Sequence, residues 1–330
     1  MLHMSKALIL HSKLGPNPPP DELDVLDEAK YFNEGLTTLG YEVQQFEFEN
    51  DLDRNSAIIK EIQPEFIVNL VETINADGRL IHIAPSLFEH LAVPFTGCLS
   101  EAIYATSNKL LSKKIMRLAG IPTPDFVMDP DELAARQTKS HFLLKSIWEH
   151  ASFGMDEHDP VFIGDVKAIA ERLGSKNKNG RLFFAEEYIE GREFNVSVIA
   201  GNKEPLVLPV AEIKFINYPE AKPKVVGYRA KWDEASFEYK NTVRHFVNEQ
   251  DEPELCERIR QICLLCWQEF GLRGYARVDF RMDKDDKLYV LEINANPCIS
   301  ADSGFVAAAT QSGLSQAEIV KSIVNDSISA

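Results

Sequence analysis

The chain is short of positive charge. Its 35 lysines and arginines face 51 aspartates and glutamates, a formal net charge of −16, which excludes nucleic-acid and anionic-membrane partners that draw their affinity from clustered basic side chains. No uninterrupted apolar run is long enough to span a bilayer, and no pattern of basic, apolar and cleavage regions is read at the start. A cytoplasmic location is the resulting expectation. Cysteine is scarce, and its odd total of 5 predicts reduced thiols. Cys263 and Cys266 form a C-x-x-C, but Leu255, Ile259, Ile262 and Phe270 fall with them at helical intervals and no second ligand pair accompanies them. Core packing is therefore expected of both thiols rather than zinc or redox chemistry. Internal repeats and low-complexity tracts are also missing.

What is present is enough chain, 330 residues and 45% apolar, for two or three domains with substantial cores. The first stretch alternates strand and helix: KALILHS, a helix from about Asp21 to Leu39 closed by Gly40, YEVQQFEF, a short helix, Phe66 to Val71, a helix near Leu80 to Leu91, and Val93 to Thr96. This alternation predicts a parallel sheet with helices on both faces, residues 1–97, with ligand-binding loops at its carboxyl edge. Next come a helix capped near Ser107 and ended by Gly120, strands at His141 to Ile147 and Arg181 to Ile189, and a helix from Asp165 to Leu173. These make a small lobe over 98–187. The remainder, 188–330, reads as a largely antiparallel lobe with a long polar stretch of little periodicity over 217–247, a binding loop or lid.

The segment Tyr275 to Pro297, YARVDFRMDKDDKLYVLEINANP, carries the most chemistry. Two alternating runs flank a polar turn and read as a β-hairpin. An even loop centred on Asp285 and Asp286 sets Asp279 opposite Glu292 and Arg277 opposite Asn294, all on one face. Like charges so placed call for a cation between them, and Mg²⁺ prefers such hard oxygen ligands. An odd loop would put the acids on opposite faces and leave a solvated acidic strand.

R-x-D followed by E-x-N-x-x-P resembles the metal-binding signature of ATP-grasp enzymes, and its surroundings resemble the D-alanine–D-alanine ligase branch. The resemblance implies a mixed α/β and α+β architecture, with the N-terminal parallel-sheet (Rossmann-like) domain followed by two lobes clasping ATP. It implies two Mg²⁺ ions, replaceable by Mn²⁺, on Asp279, Glu292 and Asn294, with Arg277 stabilising a tetrahedral intermediate. Lys109 and Lys145 fall at positions that contact ATP phosphates; alone, each would read as a surface lysine. After Lys145, the segment SIWEHASFG replaces a glycine- and serine-rich phosphate loop, in which Glu149 and the catalytic-site Ser152 fit. In AEEYIEGREF, Glu186 matches the acceptor of the adenine amino group, Glu187 and Ile189 frame the ring, and Glu193 holds the ribose hydroxyls. Lys231 matches the lid lysine on the γ-phosphate, with Trp232 in place of a tyrosine. Ser303 falls at a serine that binds a substrate carboxylate. Cys298 stands where the family has glycine.

The departures group around one substrate. The first loop, HSKLGPNPPPDELD, lacks the usual Gly-Gly-x-S-x-E, and Ala151 and Trp232 supply no hydroxyl. Replacing a hydrogen-bonded set together implies a first substrate other than D-alanine. The resemblance thus implies an ATP-dependent carboxylate-amine ligase working through an acyl phosphate, cytoplasmic and homodimeric. The alternatives are a non-catalytic ATP-binding module and an ATP-grasp ligase using a non-amine nucleophile. With an acidic overall field, the nucleotide depends on local cations.

Overall fold

The computed structural model describes residues 5–148, 164–177, 183–220 and 222–328. Strands β1 (Lys6–Ser12), β2 (Glu42–Phe48) and β3 (Phe66–Leu70) form a parallel sheet in the order β2-β1-β3. Helices α1 (Pro20–Thr38), α2 (Leu52–Ile62) and α3 (Ile83–His90) connect and cover it. β1 and β3 are apolar toward both faces, as strands buried between two helical layers must be. The stretch expected as a fourth strand adds only an isolated bridge, Ile67 to Phe95.

Helices α4 (Ser100–Ser107) and α5 (Lys109–Leu118) follow. The start of α5 is capped by Asn108 rather than Ser107: the Asn108 side chain accepts from the Leu111 N–H at 3.0 Å. Strand β4 (Phe126–Val127), helix α6 (Pro130–Ala134), β5 (Phe142–Ser146), α7 (Val166–Asn177) and β6 (Phe183–Glu187) build a small antiparallel sheet, order β4-β6-β5. Period-two alternation along β6 sends Phe183 and Ala185 into a core with Ile169 and Leu173 of α7, while Phe184 packs with Leu110 of α5.

The larger antiparallel sheet contains β7 (Arg192–Ile199), β8 (Leu206–Val207), β9 (Ala211–Phe215), β10 (Thr242–Phe246), β11 (Tyr275–Met282) and β12 (Leu288–Ala295), with β7 and β11 central. Within the stretch read as structureless lie two helices, α8 (Tyr228–Trp232) and α9 (Phe237–Asn241), and the edge strand β10. Each helix is too short to show a 3.6-residue period, and β10 is largely exposed, so neither leaves a pattern in sequence. Helix α10 (Pro253–Glu269) covers one face of this sheet, with Cys263 and Cys266 buried against Val196, Val278 and Phe280 as expected.

Helices α11 (Gly304–Gln311) and α12 (Gln316–Ile328) end the fold. The sequence assigns α12 to the last lobe, yet it packs on α1: Val320 and Ile323 share a core with Val25, Phe32 and Leu36. The approach is close enough that a Cβ on Gly35 would lie 2.6 Å from Val320 Cγ2. Among the described residues no helix is long and apolar enough to cross a membrane.

Candidate active site

The face of the large sheet turned away from α10 is polar. On β7, Phe194, Val196 and Val198 enter the core, so Glu193 and Asn195 point the other way. On β11 the same alternation presents Arg277, Asp279 and Arg281, and cross-strand register places Asn195 beside Asp279 and Glu193 beside Arg281.

β12 reaches this face by a different route from the one expected. Asp283 N–H bonds to the Lys287 carbonyl at 3.0 Å, leaving three residues, 284–286, in the loop, with Asp286 at φ 58°. That odd loop pairs Phe280 with Val290, which would carry Glu292 into the core. A β-bulge shifts the register between Asp279 and Phe280, and beyond it Asp279 opposes Glu292 and Arg277 opposes Asn294. Leu291 is the extra residue. The acids therefore share a face because a bulge re-aims the strand, and the even loop is corrected to an odd one.

Asp279 sits at the centre of this face. Arg277 donates to both its oxygens, Nε to Oδ1 at 2.8 Å and Nη2 to Oδ2 at 2.9 Å, and Asn195 and Asn294 add amide N–H donors at 2.8 and 3.1 Å. Burial works against the Arg277 charge, but Asp279 outweighs it and holds the guanidinium firmly protonated. Beside it, burial would raise Glu292; Lys109, Lys145, Lys231 and Arg277 instead hold its carboxyl far below the usual range. Lys109 opens α5 and its N–H bonds to the Ile147 carbonyl at 2.9 Å. Burial lowers both Lys109 and Lys231, with Glu292 opposing in each case. The three lysines expected around a nucleotide and the arginine expected at the tetrahedral intermediate thus all favour the charge of one acid.

Glu186 lies deeper, 1% exposed. Its oxygens meet Lys113 at 2.5 Å and Lys145 at 2.7 Å, and these ammonium groups overcome burial to keep it ionised. Glu193 pairs with Arg281 at 2.6 Å, burial still raising its carboxyl. Glu187 lies with Phe183 and Ala185 on the opposite face of the small sheet from Glu186, and its N–H bonds to the Asp125 carbonyl at 2.8 Å. The Ile189 carbonyl accepts from Arg281 at 3.4 Å. Glu149 and Ser152 lie outside the described residues.

On α8, Trp232 has a buried indole N–H with no partner among the described residues. The segment containing it touches α1, where the Tyr228 hydroxyl lies 3.4 Å from Asp21 Oδ1. Ser303 caps α11, accepting from the Val306 N–H at 3.2 Å. The Arg244 guanidinium lies against the same helix start, 3.5 Å from where a Gly304 Cβ would sit.

A second acidic group borders the site from the N-terminal sheet. The Cys298 thiol donates to Asp24 Oδ2 at 2.8 Å, and Ile299 N–H donates to Glu28 at 3.1 Å. Burial, then Asp24 and Asp21, push Glu72 up to about 7, and burial, then Glu72 and Asp24, raise Glu28 well above the usual carboxylate range. A carboxyl so raised leaves the fold untouched below its unfolded value of about 4.5, destabilises it increasingly as pH rises to about 7, and destabilises it in full above that. Glu72→Gln is therefore expected to stabilise the protein by about 2 kcal/mol at pH 8 and to change nothing at pH 4. Urea unfolding at both pH values checks this.

Asn195, Lys113, Arg281 and the Asp24–Glu28–Glu72 group are absent from the sequence reading. Asn195 carried a signal, since alternation from Glu193 puts both on one face. Lys113 stands one helical turn from Lys109.

The family model for the D-ala D-ala ligase C-terminus matches residues 115–325. An uncharacterized protein, y4sG, of Sinorhizobium fredii is 31% identical over 78% of this chain and 73% of its own. A D-alanine–D-alanine ligase of Carboxydothermus hydrogenoformans is 28% identical over 88% of each. In structure, the D-alanine–D-alanine ligase of Bacillus anthracis complexed with ATP superposes with a TM-score of 0.73 at 20% identity, over 98% of both chains.

Proposed function

The chain belongs to the D-alanine–D-alanine ligase family and is an ATP-grasp ligase, and we propose that it joins a carboxylate to an amine through an acyl phosphate, with a first substrate other than D-alanine. The observation that carries the ligase chemistry is one polar sheet face on which Arg277 is locked to Asp279, with Glu292 opposite Asp279 and Asn294 opposite Arg277, and Lys109, Lys145 and Lys231 favour the charged form of Glu292 there.

Asp279, Glu292 and Asn294 offer carboxylate and amide oxygens on one strand-paired face, with neither thiolate nor imidazole among them. That donor set fits Mg²⁺ rather than a softer metal. When bound, Mg²⁺ would neutralise charge on the phosphates of ATP. Lys109, Lys145 and Lys231 would orient the β- and γ-phosphates, Glu186 and Glu193 with the backbone at Glu187 and Ile189 would receive adenine and ribose, and Glu149 and Ser152 belong to the proposed phosphate loop. A substrate carboxylate would attack the γ-phosphorus and release ADP. An amine would then attack the acyl carbon and release phosphate. Arg277 would stabilise the oxyanion formed in that second step, because its guanidinium is already fixed by Asp279 and needs little reorganisation. Closure of the lid would shield the acyl phosphate from water.

The substrate end supports the departure from D-alanine. Trp232 presents an indole N–H in place of a hydroxyl, and Cys298, engaged with Asp24, stands at the glycine position of the signature. Ser303, Arg244 and the start of α11 would receive a substrate carboxylate. A homodimer, carried by the family resemblance, is checked by light scattering. Incubation with ATP, Mg²⁺, hydroxylamine and a panel of amino, hydroxy and dipeptide acids should trap a hydroxamate with matching ADP release. No hydroxamate from any member of a broad panel would refute the acyl-phosphate scheme.

A further inference from the structure

The buried pairing of Lys113 and Lys145 on one carboxylate has a use that neither lysine's distance to a nucleotide explains. Glu186 and Lys113 are each 1% exposed at the side chain, and Lys145 12%. Paired with Lys145 alone, Glu186 would cancel the charge of the lysine that faces the phosphates. With Lys113 on its other oxygen the three groups sum to one positive charge. In a site of low dielectric, that difference is felt strongly by a polyphosphate.

The position of Lys113 is fixed from both lobes. Its ammonium donates to Thr123 Oγ1 at 2.8 Å, and that hydroxyl donates to the Val290 carbonyl at 2.8 Å. Val290 N–H in turn bonds to the Pro122 carbonyl at 2.7 Å. Val290 lies on β12 just before the bulge that aims Glu292. The segment after α5 therefore ties the lysine pair of the small lobe to the acid-bearing hairpin.

We propose that Lys113 is a positioning residue that neutralises Glu186, so that the Lys145 charge is left to act on the triphosphate. This rests on the ATP reading above. The test is calorimetric titration with Mg·AMPPNP and with adenosine. Lys113→Met should weaken Mg·AMPPNP binding on the order of tenfold and leave adenosine within about threefold, because only the phosphates feel the lost charge. Adding Glu186→Gln to Lys113→Met removes the uncompensated carboxylate; because Glu186 is itself placed at the adenine, the readout is the ratio of Mg·AMPPNP to adenosine affinity, which should return to within about threefold of the wild-type ratio. A purely structural lysine gives no such rescue. A double variant that folds but keeps the lowered affinity ratio of Lys113→Met, or a Lys113→Met protein whose ratio equals that of wild type, overturns the proposal. Should Lys113→Met fail to fold, the double variant still decides, since a Mg·AMPPNP to adenosine affinity ratio about tenfold below that of wild type contradicts the argument. Failure of the wild type itself to bind Mg·AMPPNP refutes the ATP reading instead.

Discussion

Glu292→Gln is expected to lower turnover by roughly 10²- to 10³-fold and to raise the magnesium concentration needed for half-maximal ADP release about tenfold. Glutamine keeps the size and one oxygen donor but removes a carboxylate whose charge is favoured by Lys109, Lys145, Lys231 and Arg277 together. Two effects follow together. The proposed metal loses an anionic ligand, and the nearby cations lose a carboxylate that offsets their mutual repulsion in a buried site. A magnesium titration separates them: if metal ligation dominates, high magnesium restores part of the rate, whereas if cation placement dominates, it does not. Unchanged turnover would remove Glu292 from the chemistry and with it the central part of the proposed site.

How far the sequence reached this site depends on the kind of signal each residue leaves. The pairing of Asp279 with Glu292 was legible through the resemblance of R-x-D and E-x-N-x-x-P to the ATP-grasp signature, since alternation alone leaves an even and an odd loop both open. Its cause was not read, since loop length was taken as even and a bulge is invisible to a period-two count. The bulge did leave a trace: the buried residues of β12 switch phase from Leu288 and Val290 to Ile293. The parallel sheet was legible from strand and helix alternation, whereas the docking of α12 on α1 joins the two ends of the chain and has no local signature. Lys113 is one of several basic residues on α5, and only the fold distinguishes it, by burying it against Glu186. Helices α8 and α9 and strand β10 were hidden for the opposite reason, being short or exposed, so that neither burial nor period marks them.

Arg277→Lys is expected to lower kcat by roughly 10²- to 10³-fold while KM for ATP changes little. The lysine retains a charge, but it cannot reproduce the two parallel N–H donors, at 2.8 and 2.9 Å, that lock the guanidinium to Asp279. An ammonium drawn to Asp279 would be a more mobile donor toward the developing oxyanion, whose charge exists only near the transition state. The split between the two steps makes the expectation specific. Hydroxamate formation should fall with the overall rate if Arg277 acts when the amine attacks, because hydroxylamine passes through the same tetrahedral geometry. Phosphoryl transfer to the carboxylate, followed by burst-phase ADP release in a single turnover, should remain within about threefold of wild type. Equal losses in the burst and in amide formation would move Arg277 from the oxyanion to the phosphates, and the Arg277–Asp279 pair would then be a support for nucleotide binding alone.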